Sequence, residues 1–130
     1  MKSLLPLGWP RPKGYSNGMA ARGRIVVTAG VVGWDAQEHF VSNTLAGQFA
    51  QALRNIVEIL RCDGAEPRNI ARLTCYVTSI DEYLASLSEI GAAWKEIIGA
   101  HYPAMALVEV VRLVEPAAKV EIEATAVVPE

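Results

Sequence analysis

Soft metal ligands are scarce in this sequence. Cys62 and Cys75 stand alone, and with His39 and His101 they form no CxxC pair and no Cys/His cluster. That excludes a disulfide framework or a zinc site and fits buried or idle thiols in a reducing cytoplasm, the expected location. Positive charge is also short. The 12 Lys and Arg stand against 14 Asp and Glu, giving a net charge of −2 and a pI of about 5.7. A dedicated nucleic-acid binder would carry a basic patch or stripe. The nearest approach to one is Arg11, Lys13, Arg22 and Arg24, too sparse for a phosphate track and closer to a solvated edge or one or two ligand-binding charges. No apolar run reaches transmembrane length, and Pro6, Pro10 and Pro12 break the Met1–Leu7 stretch too early for a signal peptide. No membrane or nucleic-acid partner is therefore expected. Walker, Rossmann, HExxH and hydrolase-elbow motifs are missing, and Gly14, Gly18 and Gly23 are not spaced to cradle a phosphate. The expectation is binding or chemistry that uses neither metal nor cofactor.

What the chain does have is apolar residues. Of its 130 residues 52% are hydrophobic and 20% charged, with a mean hydropathy of +0.22. The length is that of one domain, taken as residues 1–130 with an irregular, Pro- and Gly-rich lead-in over 1–13. So small a domain has much surface to cover, and the surplus suggests that part of it is hidden against another subunit.

Periodicity outlines the elements. The β-branched run Arg24–Val32 reads as a strand. After a polar loop, Asn43 or Thr44 caps a long helix whose apolar stripe is Leu45, Phe49, Ala52, Leu53, Ile56, Val57 and Leu60, ending at Asp63-Gly64. Ile70–Thr78 is a second strand. Asp81 is expected to cap a second helix burying Tyr83, Leu84, Leu87, Ile90, Trp94, Ile97 and Ile98, closed by Gly99. Met105–Leu113 and Lys119–Val128 are two more strands, expected to pair as a hairpin. The order β-α-β-α-β-β predicts an α+β fold, two helices on one mostly antiparallel sheet. Both faces of Arg24–Val32 are apolar or small, and two helices cover only one of them. The other face, with Val26 and Val32, is expected to meet another subunit, unless the lead-in folds back over it.

The most informative segment is Lys119–Ala126. Alternation sets Glu121 and Glu123 on one face and Val120, Ile122 and Ala124 on the other. A carboxylate on the uncovered face either lines a cleft, where it can orient water or carry a proton, or plays the commoner part of an ion-pair partner, for instance of Arg112. Of the aromatics, Trp34 and Phe40 read as anchors of the loop holding a solvated His39, Trp94 as core, and Tyr102 as structural.

Several segments carry a family resemblance: Tyr15-Ser16-Asn17-Gly18, Ile25–Gly30, Tyr102–Ala106 with Val108–Leu113, and Val120–Ala124. Together they resemble the Rid (YjgF, endoribonuclease L-PSP) family over residues 14–128. The resemblance implies a chorismate-mutase-like fold, a homotrimer with ligand clefts between subunits, and cofactor-free hydrolysis of enamines or imines such as 2-aminoacrylate. It also implies that Glu121 positions the hydrolytic water. Tyr15, the backbone of Ala29 and Gly30, and the segment from Met105 to Leu107 would then hold the substrate. One departure stands out. The deaminases have Pro-Ala-Arg-Ser where this chain has Pro103-Ala104-Met105-Ala106, and Met cannot make the charged, bidentate grip of arginine on a carboxylate. Met105 leaves a more apolar, adaptable pocket. The expected ligand is therefore a small metabolite larger or less acidic than 2-aminoacrylate, such as an aromatic-pathway intermediate, with Arg22, Arg24 or His101 as replacements for the missing charge. The alternatives are a non-catalytic ligand-binding or regulatory trimer and, more weakly, an endoribonuclease or translation inhibitor.

Overall fold

The computed structural model describes all residues, 1–130. Its main sheet is built from β3 (Arg24–Val27), β4 (Val31–Val32), β5 (Ile70–Val77), β6 (Ala104–Glu109) and β7 (Val120–Val128), with α1 (Leu45–Arg61), α2 (Ile80–Ala85) and α3 (Leu87–Ile97) beside it. The strand order is β3-β7-β5-β6, with β4 also on β7. The α+β class with a mostly antiparallel sheet agrees with the sequence reading, but there are three helices rather than two.

α1 forms as its periodicity dictates. Thr44 caps it by accepting from the Gly47 amide, and the predicted stripe from Leu45 to Leu60 is buried. Val120, Ile122, Ala124 and Ala126 of β7 complete the core with Ile70, Leu73, Cys75 and Val77 of β5. An irregularity between Ile70 and Arg72 lets Ile70 and Leu73 face the same side despite their odd spacing. Gln48 is buried yet satisfied: its Nε2 donates to the carbonyls of Ser42 and Ala117, each at 3.0 Å, and its Oε1 accepts from the Lys119 amide at 2.7 Å. These bonds join α1 to two loops and the start of β7.

Several expectations are corrected. Residues 1–13 are not wholly irregular: β1 (Lys2–Leu4) pairs antiparallel with β2 (Gly18–Ala20). Arg24–Val32 is two strands, because the Thr28 side chain takes the Ala124 amide that a continuous ladder would use. Ser79, not Asp81, caps the second helical segment, which breaks at Ser86 into α2 and α3. Leu84 and Leu87, expected in the core, are 56% and 49% exposed. β6 and β7 are no hairpin: β6 pairs parallel with β5, and β7 runs between β3 and β5. Residues 110–119 separate them, a span about twice the length of an ordinary hairpin loop. Finally, Val26 packs on the core and Val32 is buried, whereas Ile25 and Val27 stand 68% and 65% exposed. The apolar surplus of β3 lies on the face opposite to the one expected.

Burial pushes the Cys75 thiol up from 9.0 to about 12. The folded state then holds this proton more tightly than the unfolded chain. Its stabilising contribution is complete below pH 9 and is lost as pH rises toward 12. The urea midpoint is expected to fall across that window, less steeply in Cys75→Ala. A thiol reagent at neutral pH should label one cysteine, the exposed Cys62, and both after unfolding.

Candidate functional site

With the core claiming alternate residues of β7, Glu121 and Glu123 project from the open face of the sheet. Glu123 accepts from Tyr76 Oη on β5 at 2.8 Å. That bond holds the Tyr76 phenol above its ordinary range, with burial and the charges of both carboxylates adding to it. The Glu121 side chain, opposite Tyr76 on β5 and Val32 on β4, makes neither an ion pair nor a hydrogen bond within the chain.

The break between β3 and β4 sets what lies over Glu121. The Thr28 amide donates to the Ala124 carbonyl, while its hydroxyl oxygen accepts from the Ala124 amide, both at 3.0 Å, and donates to the Ala29 carbonyl at 2.8 Å. The chain then passes so close to β7 that a Cβ on Gly30 would stand 2.7 Å from Glu121 Cδ and Oε2. Only glycine leaves the carboxylate where it is. Glu121, Ala29 and Gly30 thus form one group: an unengaged proton acceptor beside exposed backbone.

Tyr15, Met105 and Leu107 form a second group elsewhere. Met105 and Leu107 register with Leu73 and Cys75 of β5 and pack toward the helices. Ser16 is bridged to Ala104, its amide donating to the Pro103 carbonyl at 3.0 Å, and this brings Tyr15 alongside β6. The three residues line a groove of about 500 Å³ between β6 and α3, walled by Trp94, Tyr102 and Tyr83. Trp94 and Tyr102 stack at 10° with centroids 6.3 Å apart, and Trp94 Nε1 is fixed on the His101 carbonyl at 3.1 Å. The anticipated site residues are therefore all present, but on opposite faces of the sheet.

The charges expected to replace the missing arginine are elsewhere. Arg24 pairs with Asp63, and Arg22 is exposed outside the groove. The His101 ring nitrogen Nε2 bonds the Ile70 carbonyl at 2.7 Å, a structural role. Arg112 pairs with neither Glu121 nor Glu123 and borders a separate hollow beside Lys119. Trp34 and Phe40 anchor their loop as anticipated, bridged to each other with ring centroids 5.7 Å apart. Asp35 accepts there from the amides of Gln37 and His39, and the His39 bond chiefly holds its carboxyl below the usual range. The sequence reading had Lys13 only among four charges of which one or two could bind a ligand, and it did not assign Leu87 or Gly91 to a groove, although a glycine inside a helical pattern was a usable signal. No cluster of three His, Cys, Asp or Glu side chains is arranged to hold a metal, and no helix is long and apolar enough to cross a membrane.

Comparison with known proteins gives a consistent result. The family model described as endoribonuclease L-PSP matches residues 10–128. A 2-iminobutanoate/2-iminopropanoate deaminase of Salmonella typhimurium is 30% identical over 105 residues, 81% of this chain and 80% of its own. The human protein of the same name is 28% identical, over 80% of this chain and 73% of its own. The Rid-family protein YyfB of Yersinia pestis superposes with a TM-score of 0.84 at 32% identity, over 98% of both chains. With matching fold, matching motifs and nearly the whole length aligned, the chain belongs to the Rid family, the family also described as endoribonuclease L-PSP.

Proposed function

We propose that the protein is an enamine/imine deaminase-like hydrolase, and that its clefts lie between subunits of a homotrimer. The observation that carries this reading is the division of the site. Glu121 with Gly30 occupies the open face, while Tyr15, Met105 and Leu107 line a groove on the helix side. One protomer cannot bring both to one substrate; two protomers can, if the open face of one meets the groove edge of the next. Exposed Ile25 and Val27 supply apolar area for such a contact.

In the proposed reaction Glu121 accepts a proton from water as the water oxygen bonds to the imine carbon. Glu121 returns that proton to the nitrogen, the hydroxyl proton of the resulting carbinolamine follows it, and the carbon–nitrogen bond breaks so that ammonia leaves as the carbonyl forms. Water is the only co-reactant. Met105 shapes the specificity: without a guanidinium, binding of a small imino acid loses a charge-assisted contact of about 1.5–3 kcal/mol.

The test is ammonia release from imino acids generated in situ, with subunit number measured by light scattering. Turnover of a bulky imino acid above that of 2-aminoacrylate is expected, from an assembly of three chains. Met105→Arg should raise 2-aminoacrylate turnover about ten- to a hundredfold. Release from no imino acid would favour the non-catalytic reading, a ligand-binding trimer that lost its chemistry with the arginine. A single-chain mass would remove the shared clefts.

A further inference from the structure

Lys13 has no part in the chemistry above, yet it is the single charged residue among those lining the groove of Met105 and Leu107. Nine of the twelve lining residues are hydrophobic, and the aromatic share is high: Tyr15, Phe49, Tyr83, Trp94 and Tyr102. Lys13 forms no ion pair. Its loop is held in place, since Gly14 takes a left-handed turn at φ 81° and Ser16 is bonded to Pro103. On the far wall α3 presents Gly91, and no atom lies within 4 Å of where its Cβ would be. The groove is thus a flat-walled apolar slot with one ammonium at its mouth.

Each feature bears on the ligand. An unpaired ammonium beside apolar walls attracts an anion, and no carboxylate of the chain competes for it there. Trp and Tyr faces, with the space left by Gly91, accept a planar apolar body. Pyruvate-sized acids leave the slot largely empty, since drug-sized pockets begin at about 300 Å³ and this one holds about 500 Å³. We infer that the groove binds an aromatic or similarly flat apolar carboxylate, its ring between α3 and β6 and its carboxylate on Lys13. The specificity moves from a guanidinium on β6 to an ammonium on the loop. This deepens the deaminase reading and rests on it only for taking the groove as the substrate's subsite.

The test is calorimetric titration with three probes: 3-phenylpropanoate, its neutral amide, and propanoate. Binding is expected to weaken in that order. Lys13→Gln should weaken 3-phenylpropanoate about tenfold and leave the amide within twofold, the difference a point charge at the mouth makes. Gly91→Leu, which fills the slot, should weaken both aromatic probes at least tenfold. Its melting temperature should not fall, because leucine favours the helix over glycine. Lys95→Gln, on the same helix but outside the groove, should change nothing. Propanoate binding as tightly as 3-phenylpropanoate, or equal effects of Lys13→Gln on acid and amide, would overturn the inference. The two readings fail separately. Probe binding with this pattern but no ammonia from any imino acid removes the deaminase and leaves the groove. Imine turnover indifferent to Lys13→Gln and Gly91→Leu removes the groove and leaves the deaminase.

Discussion

Glu121→Gln is expected to lower ammonia release by a factor of about 10²–10⁴ while leaving the melting temperature unchanged. The size of the loss is that of a positioned proton acceptor removed from a proton-transfer step. The indifference of the fold follows from the structure, where the carboxylate is half-exposed and holds no partner that its loss would orphan. Glutamine keeps the shape and the ability to orient water but cannot take the proton. Gly30→Ala supplies an independent route to the same outcome. Its Cβ would meet Glu121 Cδ and Oε2 at 2.7 Å, atoms at the far end of a flexible side chain, so the carboxylate swings away and the backbone stays. Glu123→Gln is the matched control, because its partner is Tyr76 and a carboxamide oxygen still accepts that bond. Turnover in Glu121→Gln within threefold of the parent would remove Glu121 from the chemistry.

Gly33→Ala has the opposite signature, a collapse of stability at a position far from any proposed chemistry. A Cβ there would stand 2.4 Å from the Gln48 carbonyl oxygen and 2.6 Å from Gln48 Cα. Both are backbone atoms of α1, so no rotamer change relieves the clash and the helix must move off β4. Moving it strains the three hydrogen bonds through which Gln48 ties α1 to Ser42, Ala117 and Lys119. It also strains the bonds from Asn55 Nδ2 to the Val32 and Trp34 carbonyls, at 3.1 and 2.7 Å. Overpacking alone costs about 1–3 kcal/mol, and each stretched bond adds up to about 1. A loss of about 3 kcal/mol or more is expected, a fall of roughly 10 °C in melting temperature for a domain of this size. The comparison requires equal protein concentration, since self-association shifts apparent stability. A melting temperature within 2 °C of the parent would mean that α1 does not rest on Gly33 as described.

The contrast between these glycines indicates how much of the site was legible beforehand. Glu121 and its face could be read from Lys119–Ala126, because a strand's alternation is a local property. So could α1, whose stripe and cap lie within one segment. Nothing in the sequence distinguishes Gly30 over a carboxylate from Gly33 against a helix backbone. Each is defined by what the rest of the chain brings up to it. The same holds for β6, where adjacency to β7 suggested a hairpin and the long connection instead carries β7 into the middle of the sheet.

By itself the sequence determined the α+β class, the apolar faces of α1 and β7, the family, and the loss of a guanidinium at Met105. These are properties of residue type and spacing, which short-range geometry converts directly into faces and elements. Only the tertiary structure decided that Glu121 and Met105 lie on opposite sides of the sheet, that Ile25 and Val27 rather than Val26 and Val32 are left uncovered, and that Lys13 is the charge at the groove. Those outcomes depend on which strands pair and on the break at Thr28, contacts between segments up to about a hundred residues apart. Periodicity tells each segment which side to bury; it does not tell it against whom.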